Sequence, residues 1–472
     1  MAEREAPSAD RNVHKRVGVS ELRVLMKSAG SELTQRKKVE RIIRESGGSD
    51  RRLTKKHLVP LGLAIVIGAG IFNRVGESIG RYGAWASFYG LILAGVACLA
   101  AALCFAELAS TVPVGGSAYT YCYASLGKFF AWVVFWMLLL QYSAGASVIA
   151  LAWSHYLPVS GIIQTALCAT LLIALSVAIL CKLDNKNCLT AVAVFVAVAV
   201  VVKVGALLLA VIVKFGEATV HVPHPDPRGS VEVSGLLPAF TVLYFAFLGF
   251  DVISTAAEEA RYPQKDLASS ILIVFGLTGF VYFLVMLSSI VGGNTEGTAK
   301  LLAVAALIGL PAGVIILIYG QSRILVAVLR DLRPQSDSAD SHPSKRIGTV
   351  LLSGFLATVG VILATTLLDE TDLTLLVNMS TAVAFALVAI GTVVLRVRRP
   401  DLPRTFRVPG LPLVAIVSVV ASVLLALGGD QAVRQAVPIG IGWIGLGVLV
   451  SLILAFWRAW PKMRTGRGDE AS

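Results

Sequence analysis

Two stretches decide the fold: Ile67-Gly68-Ala69-Gly70-Ile71-Phe72 and Phe245-Ala246-Phe247-Leu248-Gly249-Phe250-Asp251. Each puts glycine inside an apolar run that would otherwise read as one membrane-crossing helix. Glycine is common in membrane helices simply for close packing, and this chain has 43 of them, so neither stretch is decisive alone. Their placement is what matters. Counting apolar segments along the chain, the first lies in span 1 and the second in span 6, which predicts a five-plus-five inverted repeat with helices 1 and 6 broken near the midplane. A broken helix exposes N–H groups that attract a carboxylate and C=O groups that accept from an ammonium. Inside a bilayer this is tolerated only where the backbone lines a polar cavity. A zwitterion carrying both groups on one carbon matches such a pair of breaks.

Composition agrees with a bilayer as the solvent. Of 472 residues, 56% are hydrophobic and 15% charged, against roughly 45–50% and 25% in soluble domains. Cutting at charges, prolines and glycine clusters leaves twelve apolar segments, spans 1–12, at approximately 58–80, 84–110, 128–155, 161–181, 189–213, 235–258, 268–292, 301–328, 348–368, 374–395, 411–428 and 436–457. The expected fold class is an all-α polytopic membrane protein. Its parts are a basic N-terminal tail (1–57), a first repeat (58–215), a second repeat (235–395), two added spans (411–457) and a C-terminal tail (458–472). No signal peptide is expected, because the first apolar run follows a long charged tail.

The net charge of +12 resolves by topology. With the N-terminus inside, the inner segments hold 33 Lys and Arg and the outer loops five (Arg81, Lys214, Arg228, Lys300 and Arg434), so both termini are expected in the cytoplasm of a plasma-membrane protein. No nucleic-acid partner is needed to explain the charge. Residues 34–57 carry Val39, Ile42 and Ile43 at helical spacing among basic residues. Two roles fit: a helix lying on an anionic leaflet, or a basic tail that enforces topology.

Enzymes and metal sites are disfavoured. The cysteines lie in or beside apolar runs without C-x-x-C spacing, and the six histidines do not cluster; His221 and His224 are separated by Pro223. No cofactor is expected. A channel would show a ring of charges or a repeated filter, and neither is present.

Charges inside spans are costly and so draw attention. Lys203 stands alone in the apolar run 191–210 of span 5, which suits a group that releases and regains a proton. Asp251 directly follows the span 6 break and either orients it or attracts a cation. Glu107, near the inner end of span 2, reads as a gating or packing residue. Glu258 and Glu259 are expected to pair with Arg261 or Lys265, and Arg323 either binds an acidic residue at the inner face or snorkels to the interface. Arg74 and Glu77 share a helical face three residues apart.

The stretch from Val39-Glu40-Arg41 through Leu53 to Ile67-Gly68-Ala69-Gly70-Ile71-Phe72, with Cys104-Phe105-Ala106-Glu107-Leu108-Ala109-Ser110 and Val112-Pro113-Val114-Gly115-Gly116-Ser117-Ala118-Tyr119, resembles the amino acid–polyamine–organocation superfamily. So do Phe245 to Glu259 with Tyr262-Pro263-Gln264-Lys265-Asp266-Leu267, Tyr319-Gly320-Gln321-Ser322-Arg323, and Arg399-Pro400-Asp401-Leu402-Pro403-Arg404-Thr405-Phe406-Arg407-Val408-Pro409. The bacterial form of its cationic amino acid transporter branch is the nearest in pattern. The resemblance implies a LeuT-like inverted repeat. The substrate's amino and carboxyl groups would meet the backbone of Ile67, Gly68, Ala69, Gly70 and Ile71 and of Phe245, Ala246, Phe247, Leu248 and Gly249, in a pocket completed from spans 3, 6 and 8. Lys203 resembles a lysine of proton-coupled relatives that occupies the position of sodium in others, implying proton coupling at Lys203 without a sodium requirement. Gln141 in span 3 is the side chain expected to join the substrate-binding set, and it departs from the pattern, since many relatives carry an acid there; this weakens the case for a strongly cationic substrate. The Leu310-Pro311 pair in span 8 departs too, where relatives have small flexible residues. The expected function is uptake of an L-amino acid with protons, by alternating access, with amino acid exchange or non-transporting sensing as alternatives. The partners are the amino acid, protons and the lipid bilayer, and the sequence specifies no oligomeric state.

Overall fold

A computed structural model of the chain describes residues 36–45, 51–68, 70–158, 160–182, 186–218, 233–291, 296–332, 343–367, 370–427, 438–450 and 453. Among these residues regular structure is helical, apart from one bridge that pairs Leu53 with Ala260. Among the described residues nine segments are long and apolar enough to cross a membrane, from Ala84–Thr111 to Glu370–Arg398, and two shorter apolar helices follow, Leu411–Leu425 and Pro438–Val450. The first expected span is not among those nine, and it is divided. It consists of a helix Lys55–Val66, a π-helical turn Gly70–Arg74 and a helix Val75–Tyr82. Span 6 is divided as well, into Val233–Tyr244 and two 3-10 stretches, Phe245–Phe247 and Phe250–Glu259.

Burial sorts the spans into a centre and a rim. Spans 3 and 6 are each 78% buried over their most apolar window, whereas span 4 is 22% buried and leaves Leu171 and Leu175 exposed to lipid. Lipid is as apolar as leucine, so no hydrophobic gain holds the centre together; close packing and internal hydrogen bonds do. One such contact is a cluster of Phe105, Phe250 and Phe385, with ring centroids 5.1–5.7 Å apart, which joins spans 2, 6 and 10.

The N-terminal tail docks on one face of the bundle, here called the tail face. In the short helix Val39–Glu45, Val39 and Ile42 are buried against the protein while Arg41 and Ile43 remain exposed. Lys37 pairs with Asp331 at 2.5 Å and Glu40 with Arg399 at 2.5 Å. The Arg52 and Leu53 amides donate to the Glu259 carbonyl, each at 2.8 Å, and the Arg261 amide donates back to Leu53 at 2.7 Å. Of the two roles open to this segment from sequence, the leaflet role loses most of its apolar face, because Val39 and Ile42 are spent on protein contacts.

Glu107 organises the same face. Arg396 grips its carboxylate through two guanidinium nitrogens, Arg404 approaches to 3.5 Å and the Val408 amide donates at 2.8 Å. Arg404 also donates to the Arg399 carbonyl at 2.8 Å and the Leu402 carbonyl at 3.0 Å. Residues 399–409 are thereby folded against the end of span 2.

The hydrogen bond from Arg399 holds the Glu40 carboxylate below its usual range. A depressed carboxylate stabilises the docked tail above its ordinary pKa and loses that contribution only as pH falls through the depressed value. Docking should therefore be insensitive to pH around neutrality. Arg399→Ala should accelerate amide hydrogen exchange across residues 39–45 at pH 7; unchanged exchange would show that Val39 and Ile42 suffice to hold the helix.

Candidate functional site

The span 1 break begins where the helix runs out. The Ile67 amide still reaches the Leu63 carbonyl at 3.1 Å, but the Gly68 amide turns back to Val66 at 2.9 Å instead of continuing to Ala64. The Ala64 carbonyl is thus left without its helical partner. Lys203 supplies one: its Nζ donates to the Ala64 oxygen at 2.7 Å, from a side chain with no solvent exposure. Glycine at 68 permits the turn, since a Cβ there would lie 2.5 Å from the Ile65 carbonyl oxygen.

The span 6 break is built on Gly249, whose φ of +114° disfavours any residue with a side chain. A Cβ at Gly249 would also come within 2.3 Å of the Ile65 side chain, so the two breaks meet face to face. Gly70 makes the other close approach, with its absent Cβ 2.5 Å from the Ala246 Cα. The Tyr282 hydroxyl of span 7 is aimed at both carbonyls, Val66 in the first break and Ala246 in the second, the latter at 2.9 Å. It ties the breaks together with a single proton.

Asp251 lies on the tail-face side of the span 6 break and is fully buried. Its carboxylate accepts from the Tyr142 hydroxyl at 3.0 Å and the Gln141 amide at 3.4 Å. Ser117 and Ser254 donate to its backbone carbonyl at 3.3 and 2.5 Å. Gln321 of span 8 donates to Ser143 at 2.7 Å, and the carbonyl oxygens of Gln141 and Gln321 have no partner among the described residues.

Ion pairs close the region on both sides. On the tail face Arg323 pairs with Glu259, which also accepts from Tyr319 at 2.7 Å, and Arg330 grips Glu258 at 2.8 and 3.2 Å. On the opposite face Arg74 bonds Glu77 and Thr374, both at 2.6 Å, approaches Glu370 to 3.7 Å, and lies 6.0 Å from the Phe245 ring centroid. Between them Ile67, Ile71 and Phe245 to Leu248 are buried.

Several residues singled out in the sequence therefore meet here. Gly70 packs on Ala246, and Gly249 on Ile65 and Val66, which brings the stretch holding Ile67, Gly68 and Ile71 beside Phe245, Ala246, Phe247, Leu248 and Gly249; Lys203 reaches this centre from span 5, and Gln141 reaches Asp251. Ala69 lies outside the described residues, as do His221 and His224. Arg323 and Glu107 are at the tail face, away from the breaks. Glu258 and Glu259 pair with span 8 rather than with Arg261 or Lys265, because the 3-10 stretch ends against span 8 and the following chain turns to pair with Leu53. Sequence reading missed Tyr142 and Tyr282. A tyrosine hydroxyl in a buried apolar span needs an acceptor, and that was the available signal.

Residues 57–332 match the family model described as amino acid permease. The chain belongs to the amino acid permease family. The permease is 30% identical over 464 residues to the branched-chain amino acid permease BcaP of Bacillus subtilis (strain 168), covering 88% of this chain and 96% of that protein. It is 30% identical over 431 residues to the methylthioribose transporter of the same organism, covering 82% and 91%. Similarity extends to the vacuolar cationic amino acid transporter 2 of Arabidopsis thaliana, at 29% over 411 residues, covering 78% and 64%. A crystal structure of a mutant of the Eremococcus coleocola manganese transporter superposes with a TM-score of 0.54 at 14% identity, covering 89% of this chain and 96% of that one. That likeness shows the fold alone, a LeuT-type transporter fold. The permease is an integral membrane transporter and not an enzyme.

The close approach of the breaks yields a test. Gly70→Ala places a methyl group against the Ala246 backbone, an overpacking that costs about 2 kcal/mol. Thermal unfolding in detergent should show the loss; an unchanged midpoint would mean that the breaks are not packed as described.

Proposed function

We propose that this permease imports an L-amino acid across the plasma membrane together with protons, by alternating access, with both termini in the cytoplasm. The observation that carries the proposal is the hydrogen bond from Lys203 to Ala64, a carbonyl released by the span 1 break. As an ammonium, Lys203 donates to that carbonyl and holds the first half of span 1 against span 5. As a neutral amine it offers a weaker bond and loses its charge, so the tether loosens. A proton on Lys203 thus biases the position of span 1, and differential affinity for the two positions drives the cycle.

The substrate's carboxylate would be met by amides of the stretch from Ile67 to Ile71, its ammonium by carbonyls of that stretch and of Phe245 to Gly249. The arrangement of the breaks supports this reading, with spans 1–5 and 6–10 as the two repeats. The unpartnered oxygens of Gln141 and Gln321 suit a substrate that brings hydrogen-bond donors of its own. Asp251, engaged by Tyr142 and Gln141, orients the broken segment. The Arg323–Glu259 pair and the Arg74 cluster act as gates at the two faces, and Glu107 serves as an anchor for residues 399–409.

Purified protein in proteoliposomes should accumulate a labelled amino acid when the outside is acidified, and less when the gradient is collapsed. If none of a panel of amino acids accumulates or exchanges, the proposal fails; binding without flux would identify a sensor. Lys203→Ala should retain substrate binding while losing the response to the pH gradient, and an undiminished response would remove Lys203 from the coupling.

A further inference from the structure

The bond between Lys203 and Ala64 is held from outside by span 8, and the residues that hold it are Gly309 and Gly313. They stand four residues apart in Gly309-Leu310-Pro311-Ala312-Gly313 and so share one helical face. Gly309 packs on the lysine stem: a Cβ there would lie 2.8 Å from Lys203 Cδ and 3.1 Å from its Cβ. Gly313 packs on the acceptor, where a Cβ would lie 3.3 Å from the Ala64 oxygen and 3.4 Å from the Ile149 side chain. One glycine therefore covers the donor and the other covers the carbonyl it reaches.

A second feature fixes where this face stands. Pro311 has no amide hydrogen, which frees the Leu307 carbonyl one turn earlier. The Trp153 indole of span 3 takes it at 3.1 Å. The bond pins the span 8 helix to span 3 two residues before Gly309. The Leu310-Pro311 pair, which stands apart from the pattern of relatives, thus has a contact that accounts for the proline.

We propose that Gly309 and Gly313 are positioning residues for proton coupling: they form a surface without side chains, anchored through Pro311 and Trp153, that holds the Lys203 ammonium on the Ala64 carbonyl and excludes water from it. The inference rests on the proton-coupling reading of Lys203. No charged group competes for the lysine among the described residues. The charged residues of the helices packed on span 5 lie toward the ends of those elements: Lys55, Lys56 and His57 on the first helix of span 1, Lys265 and Asp266 on span 7, and Glu296, Lys300, Arg323, Arg330 and Asp331 on the span 8 helix. A methyl group at position 309 would overlap the stem at Cδ and press on it at Cβ, so the stem has to shift along most of its length and carries the ammonium off the Ala64 carbonyl.

The test compares wild type with Gly309→Ala, Gly313→Ala and Gly276→Ala in proteoliposomes. Gly276 in span 7 has nothing within 4 Å of its Cβ position and controls for the substitution itself. Two quantities are read: uptake with and without an inward proton gradient, and labelling of Lys203 by methyl acetimidate, measured by mass spectrometry. Gly309→Ala should lower the gradient-driven part of uptake by about tenfold, the scale of one charge-assisted hydrogen bond, and make Lys203 labelled where wild type is protected. Gly313→Ala should do the same to a smaller extent, and it keeps the test decisive if Gly309→Ala does not fold. Gradient-independent exchange and substrate KM should stay near wild type, as both should in Gly276→Ala. Protected Lys203 with undiminished gradient response in both variants overturns the proposal. So does labelled Lys203 with an undiminished response, or an equal fall in gradient-driven uptake and exchange. If wild type itself ignores the gradient, the proton-coupling reading fails, and labelling alone then decides whether the glycines hold the lysine.

Discussion

A helix interrupted inside a bilayer releases carbonyls that have no water to turn to, and each must find a donor within the protein. In this permease the Ala64 carbonyl finds Lys203, and those of Val66 and Ala246 find Tyr282. The rest of the centre follows from these bonds. Lys203 has to lie beside span 1, so span 5 packs there and span 8 presents Gly309 where a side chain would intrude. Tyr282 has to reach both breaks, so the breaks must touch, and Gly70 and Gly249 remove the atoms that would prevent it. Glycine thus acts twice, first in permitting the interruption and then in permitting the approach of whatever repairs it.

The charged pairs lie at very different depths, and depth sets what each costs to separate. Glu107 is 1% exposed and is shared by two arginines and a backbone amide, so separating it from them would leave a buried charge at a cost of about 3–5 kcal/mol. Such a cluster anchors. The pair of Arg330 with Glu258 is nearer water, and water can replace one partner as the other leaves; pairs in that setting are worth at most about 1 kcal/mol. The same holds for Glu40 and Arg399. These two pairs are therefore inexpensive to open compared with the anchor that folds residues 399–409 onto span 2, whereas Arg74 on the opposite face is itself buried.

Much of this was legible in the residues. The apolar runs, the paired glycine stretches at 67–72 and 245–251 and the solitary Lys203 needed only the periodicity of a helix and the cost of charge in hydrocarbon to be read. Arg74 with Glu77 was visible as a helical pair, though not its reach to Thr374 and Glu370 some 300 residues along the chain. The pairings of Glu258 and Glu259 were misassigned, because sequence proximity favours Arg261 and Lys265 whereas the 3-10 stretch ends against span 8. Val39 and Ile42 looked suited to lipid, since an apolar stripe carries no mark of what will cover it.

The sequence by itself determined that this chain is a helical membrane protein and where its helices break. Span length follows from bilayer thickness, and a break follows from local backbone freedom at glycine. Only the tertiary structure decided what each break is bonded to. A freed carbonyl accepts from any donor that arrives, and which donor arrives depends on the packing of spans distant in sequence: Tyr282 from span 7, and Lys203 from span 5, for which Gly309 and Gly313 of span 8 leave room.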